Sequence, residues 1–183
     1  MSSKVMVMNK NLSYIHIILG DITKQNFDAI VNAANPSLLG GGGVDGAIHK
    51  AAGPQLFEEC KKLGGCNPGE ARITKGFNIK TKYIIHTPGP VYYNGKKGED
   101  KILSNSYNNS LLLAKDNNCK SIAFPAISTG IYGYPKNEAC QIAMTTVLKF
   151  IDESNYTIDI YFILFDEENF KLYTTYYEYL RSL

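Results

Sequence analysis

Short apolar runs alternating with helical patterns constrain this chain most. The runs at 14–19, 29–31, 83–86, 122–124 and 158–165 are nearly all apolar, with a weaker candidate at 71–75. Runs of that length and content suit strands buried on both faces of a sheet. Between them lie helical stretches. One covers 44–52 and stops at Gly53-Pro54. A second, Pro54–Leu63, has proline in its first turn and ends at Gly64-Gly65. Three more cover 101–117, 136–153 and 167–183, each with apolar residues at helical spacing. The last carries Phe170, Tyr173, Tyr177 and Leu180 as a stripe that reads as core packing. Strands alternating with helices imply a three-layer α/β/α sandwich, with ligands beyond the carboxyl ends of the strands.

Two glycine-rich loops follow apolar runs. The first is Asn32-Ala33-Ala34-Asn35-Pro36-Ser37-Leu38-Leu39 leading into Gly40-Gly41-Gly42-Gly43-Val44-Asp45-Gly46. The second is Ala123-Phe124-Pro125-Ala126-Ile127-Ser128-Thr129-Gly130-Ile131-Tyr132-Gly133. Four consecutive glycines add no side-chain volume and let backbone N–H groups approach a ligand, at a cost in chain entropy. Two such loops suggest a clamp on a diphosphate or another anion. The run Gly41 to Gly46 formally fits G-x-G-x-x-G, but a dinucleotide fingerprint leaves its strand directly, and here Asn35 to Leu39 intervene. No Walker loop is present, so P-loop hydrolysis of a nucleoside triphosphate is unsupported.

The 183 residues suffice for one domain with a full core, and 1–183 is read as one unit with no linker or repeat. A formal net charge of +2 gives no electrostatic footprint for nucleic acid. No apolar run approaches the ~20 residues of a membrane span. The first ten residues lack a signal-peptide core, and Cys60, Cys66, Cys119 and Cys140 form no Cys-x-x-Cys pair. Reduced thiols in a cytoplasmic protein are the expectation. With only His16, His49 and His86 as histidines, no structural metal site is expected, which leaves an open site built from carboxylates as the alternative; the expectation is no metal and no cofactor.

Individual residues carry two readings each. Asp45 is either a first-turn aspartate complementing the helix dipole or a carboxylate facing a ligand. His49, one helical turn on, faces the same way and is either a packed histidine or the partner that holds or tunes Asp45. Asn32 and Asn35 bracket a strand end: turn chemistry is the plain reading, and a free Asn35 amide holding a sugar hydroxyl is the functional one. Asp21 either caps a turn or accepts a hydrogen bond from the exocyclic amine of a base. Phe165 is placed for core packing or base stacking.

Taken together, these residues resemble the macrodomain family, in its MacroD-type hydrolase branch, over roughly residues 14–179. The matching segments are Gly20-Asp21-Ile22-Thr23, residues 28–35, 40–53, Gly69-Glu70-Ala71, residues 83–90, residues 124–135 and Phe165-Asp166-Glu167-Glu168-Asn169. The resemblance implies a mixed central sheet and ADP-ribose as ligand. By the same resemblance Asp21 holds the adenine amine, the Ile22 amide binds nearby and Phe165 packs on the adenine. Gly42, Gly43 and Val44 contact the phosphate nearer the distal ribose, and Ser128, Thr129, Gly130, Ile131 and Tyr132 form the second loop. Asn35 holds the distal ribose, and with Asp45 and His49 makes up the catalytic set. Non-hydrolytic macrodomains often lack the aspartate. The zinc-dependent branch inserts cysteine and histidine in the first loop, and this chain has neither.

The expectation is therefore a monomeric enzyme that removes mono-ADP-ribose from acidic side chains of modified proteins, and deacetylates O-acetyl-ADP-ribose. The alternatives are a non-catalytic ADP-ribose reader and an ADP-ribose 1″-phosphate phosphatase.

Overall fold

A computed structural model describes residues 10–183. Its strands are β1 (Ile15–Leu19), β2 (Ala29–Ala34), β3 (Arg72–Lys75), β4 (Tyr83–Pro88), β5 (Ser121–Phe124) and β6 (Asp159–Leu164). The helices are α1 (Gly43–Ala52), α2 (Pro54–Leu63), α3 (Glu99–Asp116), α4 (Lys136–Ser154) and α5 (Glu167–Ser182). The strands form one sheet in the order β1-β6-β5-β2-β4-β3. All neighbours pair in parallel except β3, which runs antiparallel to β4 at the edge. The sheet is therefore mixed, between two layers of helices.

The alternation of side chains along each strand builds two cores. Ala29, Val31, Ile85, Ile122, Phe124, Ile160 and Phe162 join the core formed with α3, α4 and α5. Ile30, Ala34, Ile84, Ala123 and Ile163 join the core under α1 and α2. Tyr173 of the C-terminal stripe is fully buried, with its ring 4.9 Å from that of Phe162.

Two strands run past the ends expected from their apolar runs. β2 continues through Asn32 to Ala34, and β4 beyond His86 to Pro88. Asn32 and His86 are register partners on neighbouring strands, and both are fully buried. Each shares the side of Ile30 and Ile84, so the core under α1 and α2 turns polar at the carboxyl end of the sheet.

The topology decides where the glycine loops go. β2 and β5 are parallel neighbours. After β2 the chain crosses by α1 and α2 towards β3 and β4. After β5 it crosses by α4 to β6, on the other side. Connections leaving in opposite directions open a crevice between the two strand ends, where parallel α/β sheets bind ligands.

Candidate functional site

The first loop is pinned from below by Leu38, which is fully buried and adopts a left-handed backbone. Asn35 closes the loop on itself. Its Nδ2 donates to the Gly40 carbonyl at 2.8 Å, and its Oδ1 accepts from the Ser37 amide at 3.1 Å and hydroxyl at 2.5 Å. The Asn35 amide is thus not the free group expected from sequence: a tight Asn-Pro-Ser turn needs both of its ends. A Cβ on Gly41 would sit 3.2 Å from Asp45 Oδ2 and 3.4 Å from Asn35 Nδ2, so both groups border the loop at Gly41.

The glycines have different reasons for being there. Gly43 has φ +58°, a left-handed conformation that glycine adopts without strain. At Gly46 a Cβ would lie 2.5 Å from the Gly41 carbonyl oxygen, so only glycine lets α1 start against the loop. Gly42 has an ordinary extended backbone, φ −92° and ψ −174°, with open space where a Cβ would go. Helix α1 has no side-chain cap, so the N–H groups of its first turn lack helical acceptors and face this opening.

Asp45 stands in the first turn of α1 and is 4% exposed. Burial pushes its carboxyl above the usual carboxylate range, while a hydrogen bond from Asn32 and the proximity of His49 pull it back. Asn32 Nδ2 donates to Asp45 Oδ1 at 2.8 Å. His49 Nε2 lies 3.5 Å from the same oxygen but makes no hydrogen bond, and is itself buried without a partner. The structure brings His49 to Asp45, yet Asn32 is the residue that grips it. Behind Asn32 the polar chain continues. The same Nδ2 lies 3.2 Å from His86 Nδ1, and His86 Nε2 lies 2.9 Å from Thr74 Oγ1 on β3. Burial drives the His86 imidazole down to about 3, with a smaller contribution from His49, so it is neutral.

The second loop faces the first. Ser128 has φ +66°, its carbonyl accepts from the Tyr134 amide at 2.9 Å, and its hydroxyl is buried without a partner. Thr129 Oγ1 donates to Ala126 O at 3.1 Å, and Gly133 N donates to Gly130 O at 3.0 Å. The loop is also tied to the segment after β4: Tyr92 N donates to Tyr132 O at 2.9 Å. A Cβ on Gly89 would meet Ser128 Oγ at 2.1 Å, so that approach requires glycine. Ile131 projects fully into solvent. Burial, and to a lesser extent the Asp45 charge, raise the Tyr132 phenol.

The other end of the crevice lies over β1 and β6. Asp21 follows β1 and accepts from Thr23 N at 2.9 Å and Thr23 Oγ1 at 2.7 Å, both through Oδ1. It caps the short 3-10 turn Ile22–Lys24, whose Ile22 side chain is buried in the core under α1 and α2. Phe165 follows β6 and is 89% exposed, which removes the core-packing reading. Asp21 and Phe165 are held side by side because Leu19 and Leu164 are register partners and Gly20 N donates to Leu164 O at 2.8 Å. At one strand spacing per step, they stand roughly 10–15 Å from the end of β2 across the sheet.

Sequence reasoning missed Asn32 and His86 as site residues. Their signal was a polar residue at an inward position of two apolar strands. Among the described residues no group of three or more His, Cys, Asp or Glu is placed to hold a metal ion, and no helix is long and apolar enough to cross a membrane.

Residues 31–143 match the family model described as Macro domain. The chain is 52% identical over 163 residues to an O-acetyl-ADP-ribose deacetylase of Escherichia coli, covering 87% of this chain and 92% of that protein. It superposes on the Oceanobacillus iheyensis macrodomain with ADP at a TM-score of 0.86 and 42% identity, covering 91% of this chain and 90% of that one. The Trypanosoma brucei macrodomain in complex with ADP-ribose gives 0.83 at 43% identity, covering 88% and 68%.

Proposed function

The chain belongs to the macrodomain family, and from that premise we propose that it is a hydrolase acting on esters of the distal ribose of ADP-ribose. Its substrates are proteins carrying mono-ADP-ribose on Asp or Glu side chains, and O-acetyl-ADP-ribose. In both, an acyl ester on that ribose is cleaved by water, giving a carboxylic acid and a free ribose hydroxyl. We read residues 1–183 as one macrodomain, working as a cytoplasmic monomer.

The observation that carries the reading is Asp45: a buried carboxylate gripped by Asn32, beside an uncapped helix start, with the second glycine loop leaving β5, the strand next to β2. The adenine lies against Phe165, with its amine at the Asp21 oxygen that Thr23 leaves free and the Ile22 amide nearby. The diphosphate lies between Gly42, Gly43 and Val44 on one side and Ser128, Thr129, Gly130, Ile131 and Tyr132 on the other. Helix-start and loop N–H groups supply compensating positive potential, which fixes the ligand and leaves the distal ribose at Asn35, Asp45 and His49. Asp45 positions the attacking water, in a site already shielded from solvent.

Asp45→Ala tests this. ADP-ribose affinity by calorimetry should stay within a few-fold of wild type, because Asp45 sits beside the phosphate loop rather than in the adenine pocket. Single-turnover release of ADP-ribose from a glutamate-modified protein should fall by roughly 10²–10⁴. If wild type binds ADP-ribose but releases none, the protein is a reader. If Asp45→Ala turns over like wild type, the assignment of Asp45 fails.

A further inference from the structure

The polar chain behind Asp45 has one consistent direction. An amide nitrogen only donates, so Asn32 Nδ2 donates one hydrogen to Asp45 Oδ1 and the other to His86 Nδ1. His86 Nδ1 must then be the bare, accepting nitrogen. Its Nε2 carries the hydrogen and donates to Thr74 Oγ1, whose own hydroxyl donates to the Lys75 carbonyl at 3.1 Å. The other neighbour of Nε2 is Cys60 Sγ at 3.9 Å, a weak contact. Burial, then the charges of Asp45 and Glu59, push that thiol up to about 11, so it stays protonated.

We propose that His86 is a positioning residue: Thr74 fixes its tautomer, the tautomer fixes which way the Asn32 amide points, and the amide presents a donor to Asp45. This rests on the hydrolase reading for its kinetic consequence, but not for its structural one. An amide is nearly symmetric in shape, and nothing else among the described residues bonds the Asn32 side chain. Without the bare nitrogen of His86, the Asn32 oxygen can turn towards Asp45, and the carboxylate loses the donor that favours its charged form.

Thr74→Val is the variant of choice. Thr74 is half-buried on the edge strand β3, and valine keeps its shape and β-branching, so the fold should persist. Valine leaves His86 Nε2–H without its acceptor, so the imidazole gains by moving its hydrogen to Nδ1. Three groups near Asp45 stay in place, His49 on α1, Tyr132 on the second loop and Cys60 on α2, and only the Asn32 amide on β2 turns.

Three outcomes are expected in Thr74→Val. The Asp45 carboxyl, followed by carbon-13 NMR, should titrate at higher pH than in wild type. The acid limb of the kcat–pH profile should move the same way. The plateau kcat should drop about tenfold, the typical weight of a hydrogen bond to a charged group, at unchanged ADP-ribose affinity. Thr74→Ser, which keeps the hydroxyl, should restore all three. Wild-type titration of Asp45 in folded Thr74→Val overturns the proposal, as does an equal defect in Thr74→Ser. If the wild type shows no turnover, the hydrolase reading falls, and the Asp45 titration still decides the role of His86.

Discussion

Phe165 is exposed while its neighbour Leu164, one position back on β6, is 1% exposed. An aromatic ring that contributes nothing to the core, standing at the strand end next to the Asp21 turn, has the geometry of a stacking platform. Stacking of a base on an aromatic side chain is worth about 1–3 kcal/mol by alanine substitution. Phe165→Ala should therefore leave the melting temperature within a degree or so of wild type and weaken ADP-ribose binding about 5- to 150-fold. Binding of ribose 5-phosphate, which has no base, should not change. Equal losses for both ligands would move the adenine elsewhere. Gly42 is the opposite kind of residue. Its extended backbone suits any amino acid, so a substitution there acts through the space it fills and not through strain. Asn35 differs again: it builds the loop with most of its hydrogen bonds and offers the cleft only what remains.

Among the elements, the segment after β4 is organised by one carboxylate. Glu99, 2% exposed, accepts at Oε1 from the amides of Tyr93 (3.2 Å), Asn94 (3.3 Å) and Gly95 (3.3 Å), and at Oε2 from that of Lys97 (2.8 Å). Burial pushes the carboxyl up, but the backbone amides of Lys97, Glu99 itself, Tyr93 and Asn94 outweigh it and hold it at about 2, below the ordinary 4.5. A depressed carboxylate stabilises the fold above its unfolded pKa and loses that contribution as pH falls through the folded one. Glu99→Gln should accordingly melt at lower temperature than wild type at pH 7, and the gap should narrow between about 4.5 and about 2. A gap independent of pH would mean that shape, not charge, holds the turn. The same residue explains why helix α3 starts at Glu99 and not at 101 as its apolar spacing suggested: the first turn serves the loop before it. β2 was legible only as far as Val31 for a related reason. Asn32 reads locally as a turn former, yet it stays in the strand because Asp45 and His86 satisfy its amide inside the core. Periodicity therefore located the strands and helices from apolar residues, and faltered where a polar side chain serves the site. The Asp21 turn, the proximity of His49 to Asp45 and the two loops were legible because glycine and carboxylate chemistry is local. The Asn32–His86–Thr74 chain was not, because the pairing of β2 with β4 and of β4 with β3 creates it.

At the scale of the whole molecule, the sheet order sets the chemistry available. Placing β5 between β2 and β6 sends the two glycine loops to one crevice, with the uncapped start of α1 on its rim. A diphosphate bound there meets fixed dipoles and backbone N–H groups, so its charge can be offset without a cation. The residues nearest Asp45 are poorly suited to ligate one. His86 spends both ring nitrogens on Asn32 and Thr74, and the Cys60 thiol is pushed up to about 11 and so is not a thiolate at neutral pH. That leaves Asp45 and His49, two donors where catalytic zinc sites use three protein ligands. Ester cleavage should therefore proceed at the wild-type rate after exhaustive chelation, measured as release of ADP-ribose from a glutamate-modified protein under saturating enzyme. ADP-ribose affinity should be equally indifferent to added magnesium or zinc, because the helix start and loops already supply the positive potential. A rate that collapses on chelation and returns with one added metal would mean that the diphosphate or the water is held by an ion, and the roles given to Asp45 and to the α1 start would have to be reassigned around it.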